Sequence, residues 1–512
     1  MSEKEYIVTL KKSVDYNQFN QEMIASTGAG DIPDRTVDVA NPRPASQRNT
    51  HYALTNEEAT TLRNDSRVID VEIPPQDRDD IEIGLKARQA GGNFIKTTSD
   101  TGDYINWGLR RCIQDTNPYG ESHTCEGDYT YHLDGTGVDV VISDTGLQVD
   151  HPEFNDADGY TRVQQINWYT ESGISGTQNA NHYRDYDGHG THVGGTAAGI
   201  TYGWAKNANV YSVKVSGLEG GGDSGTGYSI TDCFDVIKEW HNNKGIDPNT
   251  GYKRPTIVNM SWGYGAYFDL IIGGRYRGTL WTGSDRREYY GMIGANYFGN
   301  YRFVVRVASV DTDIEELTDA GVHVCIAAGN SYQKIDVPAG SDYDNFFTTT
   351  SFVNKYYHRG GSPFGDDCII VGNIDSSART DSGGVEQKAN SSENGPGVSV
   401  WAPGTNIMSS TSTNNSFSDG MYPANENFRI CNITGTSMAS PQVCGVGALM
   451  LQANPHATPA QLKAYIIEHS SSNLYSTGSD TDYDDSRSLH GGYDRILNNI
   501  YSSEFGVRII NS

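Results

Sequence analysis

The chain has 512 residues, too many for one ordinary hydrophobic core, so a domain of more than about 300 residues and at least one smaller unit are expected. Its 38 basic and 64 acidic residues give a formal charge of −26, which excludes nucleic acid and anionic membrane surfaces as natural partners. With 58 Gly, 32 Tyr and 17 Pro it reads as a loop-rich globular protein, because disordered chains lack so many aromatics.

The N-terminal segment starting Met1-Ser2-Glu3-Lys4 has no apolar run of signal-peptide length, and nowhere do about 18 apolar residues follow one another. A cytoplasmic or virion-associated location is therefore expected in preference to Sec export. Residues 1–76 read as one compact unit. The alternation Tyr6-Ile7-Val8-Thr9-Leu10 predicts a strand, and residues 16–24 have helical spacing. The order then repeats, with a strand at 51–54, a helix start at Thr55-Asn56-Glu57-Glu58 with Leu62 turned inward, and a strand at 67–73. The sum is a small βαββαβ, ferredoxin-like α+β unit. Pro74 and Pro75 stop its last ladder and the charges after them prefer water, so residues 77–103 are expected to be a linker.

From Val138 onward, apolar segments at 138–142, 209–215, 256–260 and 322–326 alternate with helical or irregular stretches, as buried parallel strands do. They predict an α/β domain over residues 104–470. Residues from about 265 to 308, rich in Tyr, Arg and Gly without a clean period, are expected to be an insertion on its surface. Residues 471–512, with the acidic run 480–485, form a C-terminal extension. The seven cysteines (Cys112, Cys125, Cys233, Cys325, Cys368, Cys431 and Cys444) leave an odd thiol and show no CxxC or Cys/His metal spacing. Reduced, mostly buried thiols are the default, while the short Cys112 to Cys125 spacing leaves a disulfide open.

Cutting a peptide bond with a hydroxyl requires a neighbouring base, a carboxylate to orient that base, and donors for the oxyanion. Asp144 comes just after the strand at 138–142 and before Thr145-Gly146, at a carboxyl strand end where α/β sheets place their sites. His189, the candidate base, lies in Asp187-Gly188-His189-Gly190-Thr191-His192-Val193, flanked by small residues. Ser437, the candidate nucleophile, lies in Gly435-Thr436-Ser437-Met438-Ala439-Ser440-Pro441 ahead of an apolar helical run, so its hydroxyl meets a helix N-terminus. Asn330 ends Ala327-Ala328-Gly329-Asn330, and its amide joins the Ser437 N–H as an oxyanion donor. An Asp-Thr-Gly turn alone is more often structural; the long His and Ser blocks, in this order, reverse that reading. His192 reads as a core histidine.

These blocks resemble the signatures of the subtilisin-like serine protease (subtilase) family, in its chain order Asp, His, Ser. The resemblance covers roughly residues 104–470, from Asn106-Trp107-Gly108-Leu109-Arg110 onward. It implies a three-layer sandwich around a mainly parallel seven-stranded sheet, a serine endopeptidase acting on polypeptides, and no cofactor for the chemistry. Gly220-Gly221-Gly222 and Ser261-Trp262-Gly263-Tyr264 resemble the strands between which substrate adds, with Trp262 and Tyr264 walling the first specificity pocket. Calcium sites are frequent in the family, which leaves structural Ca²⁺ open; the acidic run at 480–485 reads as a solvated face. Residues 1–76 resemble the family's propeptide, best at Val68-Ile69-Asp70-Val71-Glu72. The implication is a self-processing zymogen with its own N-terminal unit as a partner, cleaved within about residues 76 to 105. Gln442 departs from the His that most members carry, and is expected to affect packing alone. A rival reading, a latent protease-fold subunit of a larger assembly such as a virus particle, is kept open by the insertion and the unusual linker.

Overall fold

The computed structural model describes residues 3–25, 30–85, 88–89, 106–114, 131–218, 227–267, 271–283, 295–297, 300–350, 353–377, 385–415, 417, 419–477 and 485–500. Gly220, Gly221, Gly222, Cys125 and residues 480–484 lie outside them.

The first unit runs β1 (Lys4–Leu10), α1 (Tyr16–Ile24), β2 (Val39–Asn41), β3 (Asn49–Leu54), α2 (Asn56–Leu62) and β4 (Val68–Glu72). Its antiparallel sheet has the order β2-β3-β1-β4, the ferredoxin-like arrangement expected from the repeated pattern. Alternation turns Tyr6, Val8 and Leu10 of β1 onto Phe19, Met23, Ala59 and Leu62 of the helices. Thr55 and Glu58 form a reciprocal capping box that starts α2 where the sequence placed it. Two short strands follow in the stretch read as linker, β5 (Ile81–Leu85) and β6 (Arg88–Gln89).

The larger part continues with α3 (Trp107–Arg111), β7 (Asp139–Asp144), α4 (Trp168–Ser172), α5 (His189–Ala198), β8 (Asn209–Lys214), α6 (Ile230–Asn243) and β9 (Thr256–Met260). Then come β10 (Trp262–Tyr267), β11 (Ile271–Tyr276), β12 (Thr279–Thr282), β13 (Ala295–Tyr297), β14 (Asn300–Val304), α7 (Ala308–Asp319) and β15 (His323–Ala327). The chain closes with β16 (Phe346–Thr349), β17 (Asn354–Tyr356), β18 (Ile369–Ile374), β19 (Val400–Pro403), β20 (Ile407–Thr411), β21 (Asp419–Met421), β22 (Arg429–Thr434), α8 (Thr436–Ala453) and α9 (Pro459–Glu468).

A parallel sheet in the order β19-β18-β15-β9-β7-β8 forms the centre, and α8 packs across it. Among the described residues it has six strands where the resemblance implied seven. Beyond β8 the edge carries one bridge, Val163 to Val210, too short to be a strand. The insertion has strands despite its lack of period: β14 pairs with β10, while β12 and β11 join β16 and β17. Its Tyr, Gly and Arg runs find their partners across the fold, and Phe303, Phe347 and Tyr357, all fully buried, give it an aromatic centre. The C-terminal stretch also contributes to the core. The Trp401 N–H donates to the Arg495 carbonyl at 2.8 Å, and Ile496 and Leu497 are fully buried.

The N-terminal unit is seated on α6 and α7. Arg43 donates to Asp235 at 2.8 and 3.0 Å and to Asp313 at 3.0 Å, and Asn49 Nδ2 donates to Asp313 at 2.9 Å. Helix α7 has no side-chain cap of its own. Glu72 supplies one from the other unit, accepting from the Ala308 N–H at 3.0 Å and from Ser309 Oγ at 3.3 Å.

Candidate active site

Asp144 is the last residue of β7 and is fully buried. Its Oδ1 accepts from the Thr145 N–H at 2.8 Å and bonds His189 Nδ1 at 2.7 Å. His189 opens α5 behind Gly188, whose φ of +92° favours glycine; a Cβ there would lie 2.4 Å from Asn415 Cβ and Thr411 Oγ1. Asp185, which the sequence reading passed over, organises this turn. It accepts from Thr145 Oγ1 (2.9 Å), the N–H groups of Asp187 (3.1 Å), Gly188 (2.8 Å) and Thr191 (2.8 Å), and Thr191 Oγ1 (2.6 Å). Only its place two residues before Asp187-Gly188 hinted at this role, because acidic residues favour turns ahead of helices. The Thr145 hydroxyl in turn accepts from the Gly190 N–H at 2.8 Å, which links the Asp144 turn to the His189 helix.

Burial opposes charge on His189, but the Asp144 charge and hydrogen bond outweigh it and raise the imidazole pKa above its ordinary 6.5. Among the described residues its Nε2 is buried without a hydrogen-bond partner. One turn on, His192 is pushed down to about 3 by burial and by the charge of His189. Its Nε2 bonds the carbonyls of Ile407 and Cys431, which makes it a tie between α5 and the neighbouring strands.

Ser437 is the second residue of α8. Its hydroxyl donates to the Ser261 carbonyl at 2.9 Å, not to His189. The Ser437 carbonyl would ordinarily receive the N–H four residues on, but that residue is Pro441, which has none. Ser261 Oγ donates to it instead at 3.0 Å, so Ser261 holds Ser437 at both ends. Asn330 Oδ1 accepts from the Thr436 N–H at 2.9 Å and from Thr436 Oγ1 at 3.1 Å, fixing the amide so that Nδ2 is its donor end. Gln442 does more than fill space: Oε1 accepts from Trp204 Nε1 at 2.8 Å and Nε2 donates to Asn106 Oδ1 at 2.9 Å.

Ser261 precedes β10, and Trp262 and Gly263 begin it. The Trp262 ring is fully buried, packed with Phe234 and Tyr264, and its Nε1 donates to the Ser143 carbonyl at 3.0 Å beside Asp144. The edge of β10 carries β5 in antiparallel register, Leu85 opposite Trp262 and Gly84 opposite Gly263. β6 pairs with β22, the strand that leads into the Ser437 turn. No group of three or more His, Cys, Asp or Glu that could hold a metal ion occurs among the described residues, and no helix there is long and apolar enough to cross a membrane.

The chain is similar to an extracellular serine proteinase of Thermus sp. (strain Rt41A), 26% identical over 415 residues covering 80% of this chain and 72% of that protein. Alkaline serine exoprotease A of Vibrio alginolyticus is 26% identical over 400 residues, 78% of this chain and 51% of that protein, so the chain spans about half its length. The subtilisin-like serine protease Cur l 4.0101 of Cochliobolus lunatus is 25% identical over 482 residues, 90% of this chain and 74% of that protein. The crystal structure of fervidolysin from Fervidobacterium pennivorans, a keratinolytic enzyme related to subtilisin, shares the fold with a TM-score of 0.52 and 17% identity, covering 100% of this chain and 62% of that one. The model of the Subtilase family matches residues 135–493, well over half of the chain, and so includes Asp144, His189, Asn330 and Ser437. The chain belongs to the subtilase family of serine proteases.

Proposed function

We propose that the protein is a serine endopeptidase working through an acyl-enzyme, made as a zymogen that cuts itself between β5 and β6. The observation that carries the reading is the fully buried 2.7 Å bond from Asp144 to His189, with the second ring nitrogen left to receive a hydroxyl proton. In the reaction the Ser437 hydroxyl exchanges its bond to the Ser261 carbonyl for one to His189 Nε2. Its proton passes to the imidazole as Oγ bonds the substrate carbonyl carbon, and Asp144 stabilises the imidazolium. The Ser437 N–H, at a helix N-terminus, and the Asn330 amide take the oxyanion. The imidazolium then gives its proton to the leaving amine as the C–N bond breaks, and water repeats the cycle on the ester.

The pairing of β5 and β6 supports self-processing. The segment approaches along β10, with Leu85 opposite Trp262, and departs along β22, with Arg88 opposite Thr434. We assign the cut to the Lys86–Ala87 bond, which lies in the sequence midway between the paired residues Leu85 and Arg88. A fluorophosphonate probe and intact-mass measurement test this together. Labelling at Ser437 and loss of residues 1–86 are expected, with the Ser437→Ala chain remaining whole. An unlabelled, assembled chain would favour the scaffold reading, and normal processing of Ser437→Ala would exclude self-cleavage.

A further inference from the structure

The strand that receives β5 continues well past the catalytic end. Pairing runs from Trp262 through Gly263, Tyr264 and Gly265 to Ala266, which faces Ile81. The far half of β10 is held by the insertion: Gly265 pairs with Val304 and Ala266 with Phe303 of β14. Phe303 lies 5.4 Å from Phe347 and 6.1 Å from Tyr357, ring centre to ring centre, so this platform has its own packed support. Ile81 is buried within the main core.

One residue upstream of Ile81, the Asp80 carboxylate meets Lys355 Nζ at 2.7 Å. Lys355 belongs to β17, at the edge of the sheet that the insertion completes, and is only 8% exposed. Burial disfavours its charge and pulls its pKa down, as does nearby Arg78, while Asp80 works the other way. Among the described residues Asp80 is the acceptor recorded for Lys355. Burial opposes charge on Asp80, but Arg78 and Lys355 together hold its pKa below the ordinary carboxylate range. Arg78 and Asp80 both lie on the segment that processing removes. The Lys355 cation then loses its counter-charge, and a polypeptide laid along β10 can supply another.

We propose that Lys355 is a specificity-determining residue, which selects substrates carrying Asp or Glu six residues ahead of the residue whose carbonyl Ser437 attacks. The proposal rests on the peptidase reading above. It makes the sheet that the insertion completes a substrate-reading device, and it makes the enzyme favour long extended segments over short peptides.

The test uses mature enzyme prepared from the full chain and internally quenched peptides with the sequence of residues 80–90. A second peptide has Asn in place of the leading Asp, and a third begins at the Ile83 position. The parent enzyme is expected to cleave the Asp peptide with a kcat/KM about tenfold above the Asn peptide, the size expected of a partly buried charge-assisted pair. Lys355→Gln should erase that gap while cleaving the shortened peptide as the parent does. Lys355→Glu should prefer a leading Lys. Equal rates for the Asp and Asn peptides with the parent enzyme, a comparison that needs no variant to fold, would overturn the proposal; so would a gap that survives in Lys355→Gln. Failure of the underlying reading looks different, because no peptide would be cut and Ser437 would not label.

Discussion

Replacing Arg43 by Met leaves the Asp235 and Asp313 carboxylates, 5% and 3% exposed, without the guanidinium that bonds both across the seam between the N-terminal unit and α6 and α7. Removing one partner of a buried ion pair costs roughly 3 to 5 kcal/mol, because the remaining charge stays desolvated. Two carboxylates are stranded here, although Asn49 still donates to Asp313 at 2.9 Å, and the Met stem fills part of the space. The docking equilibrium should therefore weaken by about a hundredfold to several thousandfold. The assay is hydrogen exchange in a chain kept whole by Ser437→Ala, followed at the Ala308 amide, which donates to Glu72, and along β10, which pairs with β5. Adding Asp235→Asn and Asp313→Asn to Arg43→Met should restore most of the protection, since the stranded charges are then gone. Protection in Arg43→Met within about threefold of its parent would refute the account of the seam, because such a change is far below the cost of an orphaned buried charge.

Since Asp144 raises the His189 pKa above 6.5, the base is lost to protonation earlier on acidification than an ordinary histidine would be. A pH profile of kcat/KM should show its acid limb above that value, and Asp144→Asn should move the limb down while cutting kcat by roughly ten-thousandfold. Asn330→Ala should lower kcat by about a hundredfold to a thousandfold with little change in KM, read from steady-state kinetics. Gln442→Ala leaves Trp204 Nε1 without its acceptor and Asn106 Oδ1 without one of its donors, in a fully buried corner. A loss of roughly 2 to 4 kcal/mol in denaturant unfolding is expected. Glu72 is pushed up from 4.5 to about 7, by burial first and then by the charge of Asp70. Undocked it ionises near 4.5, so docking is at full strength below that pH and weakens as pH rises through the docked value. Gel filtration of processed protein across this range should show the N-terminal unit released more readily at higher pH, and Glu72→Gln should flatten the dependence.

Alternation in β1 and β4 and the Thr55 capping box specify the N-terminal unit, because strand period and helix start are encoded by near neighbours. Asp144, His189, Asn330 and Ser437 were legible for the same reason, each lying at a strand end or helix start with small flanking residues. Strands β5 and β6 were not, since the prolines and charges just ahead of them, Pro74 to Asp80, mark a linker and their pairing partners in β10 and β22 lie more than 170 residues away. The insertion has no period because its strands are completed by β10 and by β16 and β17, whose residues carry half of the pattern. Asp185 looks like an ordinary polar residue until the tertiary structure brings buried donors to it, and the hydrogen bonds of Ser261 and Gln442 are equally invisible in the sequence. The chain's local order thus determined which candidate groups are present and on which kind of element each stands. Only the packed fold decided how each group is oriented, what lies across the cleft and where Lys355 finds its carboxylate, because hydrogen bonds and charge pairs between distant segments leave no trace in the spacing of either one.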